Sequence, residues 1–270
     1  MSRNQFVFGI CTNMIRPETD PIATDLFPII RKLGYSYIEL SLKDLMRISD
    51  AEWTGFCREL EGTGISIDAC NNFFPPSQRI TGPTVDFKEL SRYTDKALKR
   101  ASQMGAQVVV FGSSGARNIP EGFSREEGWN QIIRATEMIA EAAEKHSILI
   151  GIEYHNRREA NILTSMREAM ELYRAVNHPS IRILSDYYHM AYEKEPVSEL
   201  HRAQGLIIHA HFAEVKERSF PNEPKPEYRD YFAALRESGY IGRVSIEAFT
   251  KNFERDAVRA LEVLRECAEG

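Results

Sequence analysis

Four acidic or imidazole residues stand at the ends of four successive apolar runs in the second half of the chain. They are Glu153, Asp186, His211 and Glu247. Two glutamates, an aspartate and a histidine form an oxygen-rich ligand set that suits Mn²⁺, Mg²⁺ or Co²⁺, and no thiol lies among them to favour zinc. Three acids buried close together repel one another unless a cation lies between them. The pattern therefore predicts one divalent metal ion, with Mn²⁺ as the first choice.

The same side chains, taken singly, are more typical of salt bridges or helix caps than of metal ligands. Four of them at equivalent positions on successive strands indicate a shared role, because strand interiors rarely hold unpaired carboxylates. A metal site of this kind requires a fold that brings four strand ends to one place.

Eight short apolar runs, which alternate with longer amphipathic segments, can provide that fold. Near-continuous apolar runs are typical of strands that are covered on both faces. We predict strands at 6–10, 37–40, 65–70, 107–111, 148–153, 181–185, 206–211 and 244–247. Repeated units of strand and helix predict an α/β fold, a (β/α)₈ TIM barrel, formed by residues 1–270 as a single domain. A doubly wound open sheet is the alternative, but residues 9–13 lack the glycine-rich phosphate loop that usually follows its first strand.

Helix boundaries support the same arrangement. Three residues that can cap a helix each stand three positions before a glutamate: Asp86, Ser124 and Ser165. Four glycines stand where a helix should end in a left-handed residue before the next strand: Gly34, Gly64, Gly105 and Gly239. In a barrel, the strand ends that carry the four candidate ligands open into one mouth.

Composition and charge limit the classes of protein to consider. Of the 270 residues, 43% are apolar and 27% are charged, which is typical of a globular protein. A net charge of −5 lacks the basic character of a nucleic-acid binder. Because no apolar run approaches about 18 residues and no secretory leader is recognisable, we expect a cytoplasmic protein with no membrane partner. The four cysteines show no CxxC pair and are expected to be reduced thiols.

Four short motifs follow the predicted strands five to eight in order. They read Glu-Tyr-His-Asn-Arg-Arg-Glu at 153–159, Asp-Tyr-Tyr-His-Met at 186–190, His-Ala-His at 209–211 and Glu-Ala-Phe at 247–249. In this order they resemble the xylose-isomerase-like TIM-barrel superfamily of sugar phosphate isomerases and epimerases, and within it the ketose 3-epimerases of D-tagatose and D-psicose. The similarity runs along most of the chain and is densest at 151–249.

This resemblance implies a sugar or sugar-derived substrate and a homo-oligomer, either a dimer or a tetramer. It implies that the four candidate ligands bind the metal, and that Glu153 and Glu247 are also acid/base groups on opposite faces of the substrate. Substrate oxygens would be contacted by Glu159, His189 and Arg218, and the apolar walls of the site would be Phe8 and Phe249.

The chemistry of such a site is proton abstraction next to a carbonyl. A divalent cation on the carbonyl oxygen and a neighbouring hydroxyl stabilises the enediolate that forms. One carboxylate removes the proton and the other returns it from the opposite face, which inverts one carbon; return to the neighbouring carbon gives an aldose–ketose isomerase instead. We therefore predict a metal-dependent sugar epimerase or isomerase.

Three features depart from the ketose 3-epimerase pattern. The substrate-contacting arginine of that family lies six residues past the metal histidine, where this chain has Glu217 and Arg218 is one residue further on. Either the loop carries an insertion or the contact differs. His155 replaces a residue that is usually apolar, and strand alternation would place it beside Glu153. In the segment 111–120, Arg117 is predicted to bind a carboxylate or phosphate, or else to lie exposed on the surface.

Two deeper residues are interpreted as partners of their neighbours. His209 shares a strand face with His211, and a hydrogen-bonding role is favoured over ligation. Glu39 ends the second predicted strand, where pairing with a neighbour is favoured and contact with the substrate is the alternative.

Three other functions use the same scaffold. A metal-dependent dehydratase of inosose or dehydroshikimate type, the main alternative, would abstract the same proton and then expel a β-hydroxyl. An endonuclease IV-like DNA repair enzyme would need further histidines after strands three and four, where the chain reads Cys-Asn-Asn at 70–72 and Gly-Ser-Ser at 112–114. A non-catalytic sugar-binding protein would usually lack a ligand, and none of the four is missing here.

Overall fold

A computed structural model describes residues 5–17 and 20–269 of the chain. Within them, eight parallel strands close into one barrel in sequence order, and the first strand pairs with the last. The strands are β1 (Val7–Cys11), β2 (Tyr37–Ser41), β3 (Ser66–Asn71), β4 (Val108–Phe111), β5 (Leu149–Ile152), β6 (Ile181–Asp186), β7 (Ile207–Phe212) and β8 (Arg243–Ile246). This topology confirms the predicted (β/α)₈ barrel and excludes the open sheet.

Helices occupy the connections and form the outer layer. They are α1 (Phe27–Lys32), α2 (Leu42–Leu45), α3 (Asp50–Thr63), α4 (Phe87–Gln103), α5 (Ser114–Arg117), α6 (Arg125–Lys145), α7 (Met166–Val176), α8 (Tyr187–Tyr192), α9 (Pro226–Glu237) and α10 (Phe253–Ala268). In the part of the chain that the structure describes, no helix has the length and apolar character needed to cross a membrane.

Local sequence signals account for the element boundaries. Side-chain oxygens of Asp86, Ser124 and Ser165 each accept a hydrogen bond from a backbone N–H in the first turn of α4, α6 and α7. The four predicted stop glycines all have φ between +65° and +92°, the left-handed conformation that glycine adopts without strain. Each predicted strand agrees with an observed strand to within one residue at either end.

Alternation along the strands separates the core from the site. Val244 and Ile246 of β8 belong to the buried apolar core, whereas Ser245 between them hydrogen-bonds to Glu39 inside the barrel. Since successive side chains of a strand point to opposite faces, the next residue, Glu247, emerges on the inner side at the C-terminal mouth. The same rule places the other polar strand ends at that mouth.

Candidate metal centre and active site

The four candidate ligands meet at the C-terminal mouth of the barrel. Glu153 and Glu247 directly follow β5 and β8, Asp186 ends β6, and His211 lies one residue before the end of β7. One donor atom from each lies within 4.8 Å of the donor atoms of the other three, and all four residues are buried. The structure therefore brings together the predicted set, and the binding of a metal by this set stays a prediction.

Charge repulsion and an unsatisfied oxygen suit this cluster to a cation. His211 Nδ1 lies 2.9 Å from Glu153 Oε1 and 3.5 Å from Glu247 Oε2. Burial raises the pKa of Asp186 to about 7, against the opposing charge of Arg218. Its Oδ2 atom is buried and has no hydrogen-bond partner among the described residues. Because a divalent cation would supply that partner and offset the repulsion between the carboxylates, these residues fit such an ion.

A buried carboxylate orients His211 from inside the barrel. Glu39 Oε1 lies 2.9 Å from His211 Nε2, and Glu39 Oε2 lies 2.7 Å from His209 Nε2. Burial alone would raise the pKa of Glu39, but His211 and His209 outweigh it and hold that pKa below its ordinary value. With Nε2–H donated to this carboxylate, His211 keeps the Nδ1 lone pair directed at the cluster. These contacts agree with the structural roles predicted for Glu39 and His209.

Glu247 is held in one orientation by three side chains. Arg218 Nη2 donates to Glu247 Oε2 over 2.5 Å. Asn71 Nδ2 and Asn13 Nδ2 donate to Oε1 over 3.0 and 3.2 Å. Burial opposes ionisation of Glu247, but Arg218 and then His211 outweigh it and keep the pKa of this carboxyl below its ordinary value. Glu247 is therefore an oriented carboxylate.

Arg218 reaches the cluster through a left-handed turn. Glu217 and Arg218 have φ values of +59° and +48°, a conformation that costs non-glycine residues energy and is often found at functional sites. Arg218 Nη1 also donates to Glu159 Oε2 over 3.4 Å, and its guanidinium carbon lies 4.5 Å from the centre of the Tyr188 ring.

His155 and His189 form a stacked pair beside Glu153. Their ring centroids are 4.5 Å apart, and His155 Nε2 lies 3.1 Å from Glu153 Oε2, as strand alternation predicts. The backbone N–H of Asn156 donates to His189 Nδ1 over 3.1 Å, so the ring proton of neutral His189 must lie on Nε2. Burial holds the pKa of His189 well below its ordinary value. This ring therefore presents an Nε2–H donor, which has no partner among the described residues.

Gly112, directly after β4, leaves the space that the Glu153 carboxylate occupies. A Cβ atom at this position would lie 1.7 Å from Glu153 Oε2 and 3.2 Å from His155 Nε2. Residues with a side chain would displace the carboxylate, so the present position of Glu153 depends on glycine at 112.

The cluster opens into a cavity of about 270 Å³. Its lining consists of Asn13, Met14, Lys43, Asn71, Asn72, Phe74, Pro76, Gly112, Ser113, Ser114, Gly115, Glu153, His155, Glu159, Arg218 and Glu247. Most of these side chains are polar, which suits a small hydroxylated ligand. Larger cavities lie at the opposite, N-terminal end of the strands, away from the acidic cluster. The chemistry of TIM-barrel enzymes occurs at the C-terminal end.

Phe8 lies elsewhere than predicted. Its ring belongs to the buried core and lies 6.2 Å from that of Phe232 on α9. Side chains alternate between the two faces of a strand. Cys11, three residues further along β1, lies 4.0 Å from His211 inside the barrel, so the side chain of Phe8 must point to the outside. Phe8 therefore faces the helices, and its prediction as a wall of the substrate site is corrected.

Arg117 and Phe249 have contrasting surroundings. Arg117 is fully buried and donates to the backbone oxygen of Phe111 over 2.7 Å. It is neither exposed nor part of the cavity lining, so both predicted roles for Arg117 are corrected.

Phe249 is 53% exposed at the rim, where its backbone N–H donates to the oxygen of Arg218 over 2.8 Å; its contact with substrate stays a prediction.

Sequence reasoning missed four residues of the site: Asn13, Asn71, Gly112 and Asn156. Asn71 ends β3 and Asn13 follows β1, so a polar residue at a strand end was an available signal for both. Asn156 donates to His189 from a connecting segment, and its role depends on loop geometry that the sequence pattern does not reveal.

The fold and site define the class of the protein. Residues 27–267 match the model of the xylose isomerase-like TIM barrel family, and the chain belongs to this family. Its donor cluster is a candidate metal-binding site of the kind that the four strand-end motifs imply.

Particular relatives narrow the comparison. The chain is 23% identical over 229 residues to the D-psicose 3-epimerase of Ruminiclostridium cellulolyticum, which covers 82% of this chain and 76% of the relative. It is 25% identical over 261 residues to the probable ketose 3-epimerase of Synechocystis sp., covering 94% and 87%. A crystal structure of D-psicose 3-epimerase with D-tagatose from Clostridium cellulolyticum superposes with a TM-score of 0.84 at 18% identity, covering 97% and 99%. The names of the curated relatives support an isomerase-type enzyme, and the structural likeness shows the fold.

Proposed function

We propose that this protein is a metal-dependent sugar epimerase that exchanges a proton on the carbon next to a ketose carbonyl. The observation that carries the proposal is the pair Glu153 and Glu247, which follow β5 and β8 and share one donor cluster. The relatives named ketose 3-epimerases support the substrate class. A bound divalent cation would polarise the carbonyl oxygen and the neighbouring hydroxyl.

Two oriented carboxylates suit removal and return of a proton. Glu153 contacts His211 through Oε1 and His155 through Oε2, whereas Glu247 is held by Arg218 and Asn71. Different partners hold the two groups from different sides of the mouth. One carboxylate takes the proton from carbon, and the other delivers a proton to the opposite face.

In this proposal two donors, on His189 and Arg218, orient the substrate oxygens. The unpartnered Nε2–H of His189 lies beside Asp186, with His189 Nε2 3.4 Å from Asp186 Oδ2. Arg218 lines the cavity and bridges Glu247 and Glu159. Donors that are fixed in advance stabilise negative charge as it develops on a substrate oxygen.

Deuterium exchange tests the proposal directly. The Mn²⁺-loaded protein is incubated in D₂O with a panel of ketoses, and NMR is expected to show deuterium at the carbon next to the carbonyl. Glu247→Gln should abolish formation of the epimer, because one of the two proton-carrying groups is lost, whereas Glu214→Gln, at the rim with Lys225 and Tyr228 as partners, should retain it. Epimer formation that survives Glu247→Gln in a folded protein would refute the acid–base assignment.

Product mass separates the epimerase from the dehydratase alternative. In ordinary water, an epimerase or isomerase gives a product of unchanged mass, whereas a dehydratase product is lighter by one water. If the best substrate loses water, the reaction is an elimination and not the proposed epimerisation. The two reactions begin with the same proton abstraction, so the acidic cluster would keep its role.

We also propose that Mn²⁺ is the native metal, that the protein acts in the cytoplasm as a homodimer or homotetramer, and that it has no nucleic-acid partner. Elemental analysis of protein purified without chelator tests the metal. Light scattering distinguishes the two assemblies, and a monomer would contradict both. Retention of the protein by a DNA column at physiological salt would contradict the proposed absence of a nucleic-acid partner. Recovery of the protein outside the cytoplasm in cell fractionation would contradict the proposed location.

A further inference from the structure

One buried arginine lies near Glu153 but outside the lining of the cavity. Arg117, at the end of α5, is fully buried, and its Nη1 donates to the Phe111 backbone oxygen over 2.7 Å. Its Nε and Nη2 atoms have no hydrogen-bond partner among the described residues. An arginine with unused buried donors costs free energy, so a purely structural role in packing does not explain its presence.

The hydrogen bond of Arg117 leads directly to the acidic cluster. The same Phe111 oxygen accepts the backbone N–H of Glu153 over 3.3 Å. The residue after Phe111 is Gly112, whose Cα faces the Glu153 carboxylate. One carbonyl therefore joins the arginine to the backbone of Glu153 and to the glycine that leaves room for its side chain.

Charge acts in the same direction. Burial lowers the pKa of Arg117 to about 10, and Glu153 is the largest charge opposing that effect. The guanidinium stays protonated at neutral pH, so its positive charge acts on a carboxylate to which the proposed function assigns metal binding and proton transfer. Glu168 is the other carboxylate that acts on this charge.

We propose that Arg117 is a positioning residue that fixes Glu153 through the Phe111 carbonyl and the Gly112 turn, and that it does not contact the substrate. The proposal rests on the proposed function, since it assumes that Glu153 binds the metal and moves a proton. It predicts that loss of the guanidinium displaces Glu153 while the substrate-facing side chains of the cavity stay in place.

The test compares Arg117→Met and Arg117→Lys with the control Arg79→Met. Arg79 also joins these loops, by donating to the backbone oxygens of Gly115 and Asn118, but it contacts neither Phe111 nor Glu153. Mn²⁺ affinity is measured by electron paramagnetic resonance titration, kcat and KM by steady-state kinetics, and folding of the metal-free protein by thermal unfolding.

We expect both Arg117 variants to weaken Mn²⁺ binding and to lower kcat by about 10–100-fold, with KM changed less than about threefold. Arg79→Met should lower the unfolding temperature but keep Mn²⁺ affinity and kcat near those of the parent. Parental Mn²⁺ affinity and kcat in either folded Arg117 variant would overturn the proposal, as would an equal loss in Arg79→Met. If Arg117→Met does not fold, Arg117→Lys decides, because it keeps the buried charge but cannot reproduce the guanidinium geometry.

The Mn²⁺ titration separates this proposal from the proposed function. If no ketose is turned over but Arg117→Lys weakens Mn²⁺ binding, the positioning role stands and the assigned reaction fails. If turnover is found and a folded Arg117 variant keeps parental Mn²⁺ affinity and kcat, the reaction stands and the positioning role fails.

Discussion

Replacing Gly112 with alanine adds one methyl group where the structure leaves no space. The new Cβ would lie 1.7 Å from Glu153 Oε2, whereas real Cβ atoms essentially never make contacts under 3.0 Å. The carboxylate oxygen would have to move by about 1.3 Å, the difference between these distances. Gly112 is not among the glycines with positive φ, so alanine brings no backbone strain of that kind and the effect acts on Glu153.

The size of the displacement sets the size of the effect. A misplacement of about 1 Å at a reacting group costs about 100-fold in rate, which corresponds to about 2.7 kcal/mol in the activation free energy. Because Glu153 is also a proposed metal ligand, Mn²⁺ affinity is expected to fall by about 10-fold or more.

The assay measures kcat, Mn²⁺ affinity and the unfolding temperature for the parent, Gly112→Ala and the control Gly55→Ala. Gly55 lies in α3, and an added Cβ there meets nothing within 4 Å, so the control should keep both kcat and metal affinity. A folded Gly112→Ala variant with parental kcat and Mn²⁺ affinity would refute the position of Glu153 on which the proposed site depends.

Glu247→Gln is expected to lower kcat by about 100-fold or more with the fold retained, because an amide cannot accept the proton; steady-state kinetics and circular dichroism check this. Glu39→Gln should weaken Mn²⁺ binding about 10–100-fold, because His211 loses its orienting carboxylate, and unchanged binding in a calorimetric titration would contradict that role. Phe8→Ala should lower the free energy of unfolding in urea by about 3–5 kcal/mol with KM unchanged, since the ring packs in the core, whereas a raised KM at parental stability would return Phe8 to the substrate site. Chelator treatment should lower the unfolding temperature and added Mn²⁺, Co²⁺ or Mg²⁺ should restore it, so an insensitive transition would count against the metal site.

The parts of this structure that the sequence predicts depend on one-dimensional patterns. Apolar runs, capping residues and stop glycines recur along the chain, and the barrel follows from their order. Glu153 and Glu247 could be placed at the mouth because a residue at the end of a parallel strand has only one region to occupy. His155 could be placed beside Glu153 because it lies two residues further along, and side chains two apart share a face of an extended strand.

The remaining features depend on which face of a strand each side chain points to, on loop conformation and on contacts between distant segments. The family resemblance assigns Phe8 to the substrate site, but its position within β1 turns its side chain towards the helices. Arg218 needs two left-handed residues that its own sequence does not favour. Arg117 is charged, and a charged residue is expected to be exposed or bound to a ligand. Only the folded loop shows that its guanidinium is buried and donates to a backbone carbonyl oxygen.

The four candidate ligands all come from the second half of the barrel, whereas the segments at the ends of strands one to four contribute most of the remaining cavity wall. This division means that ligand selectivity can change by exchange of loops in the first half without rebuilding the acidic cluster. Three residues of the first half support the two glutamates of the cluster: Asn13 and Asn71 reach Glu247, and Gly112 gives space to Glu153. A loop graft that keeps these three residues retains the supports of both carboxylates, so the first half of the barrel is the natural place to redesign specificity.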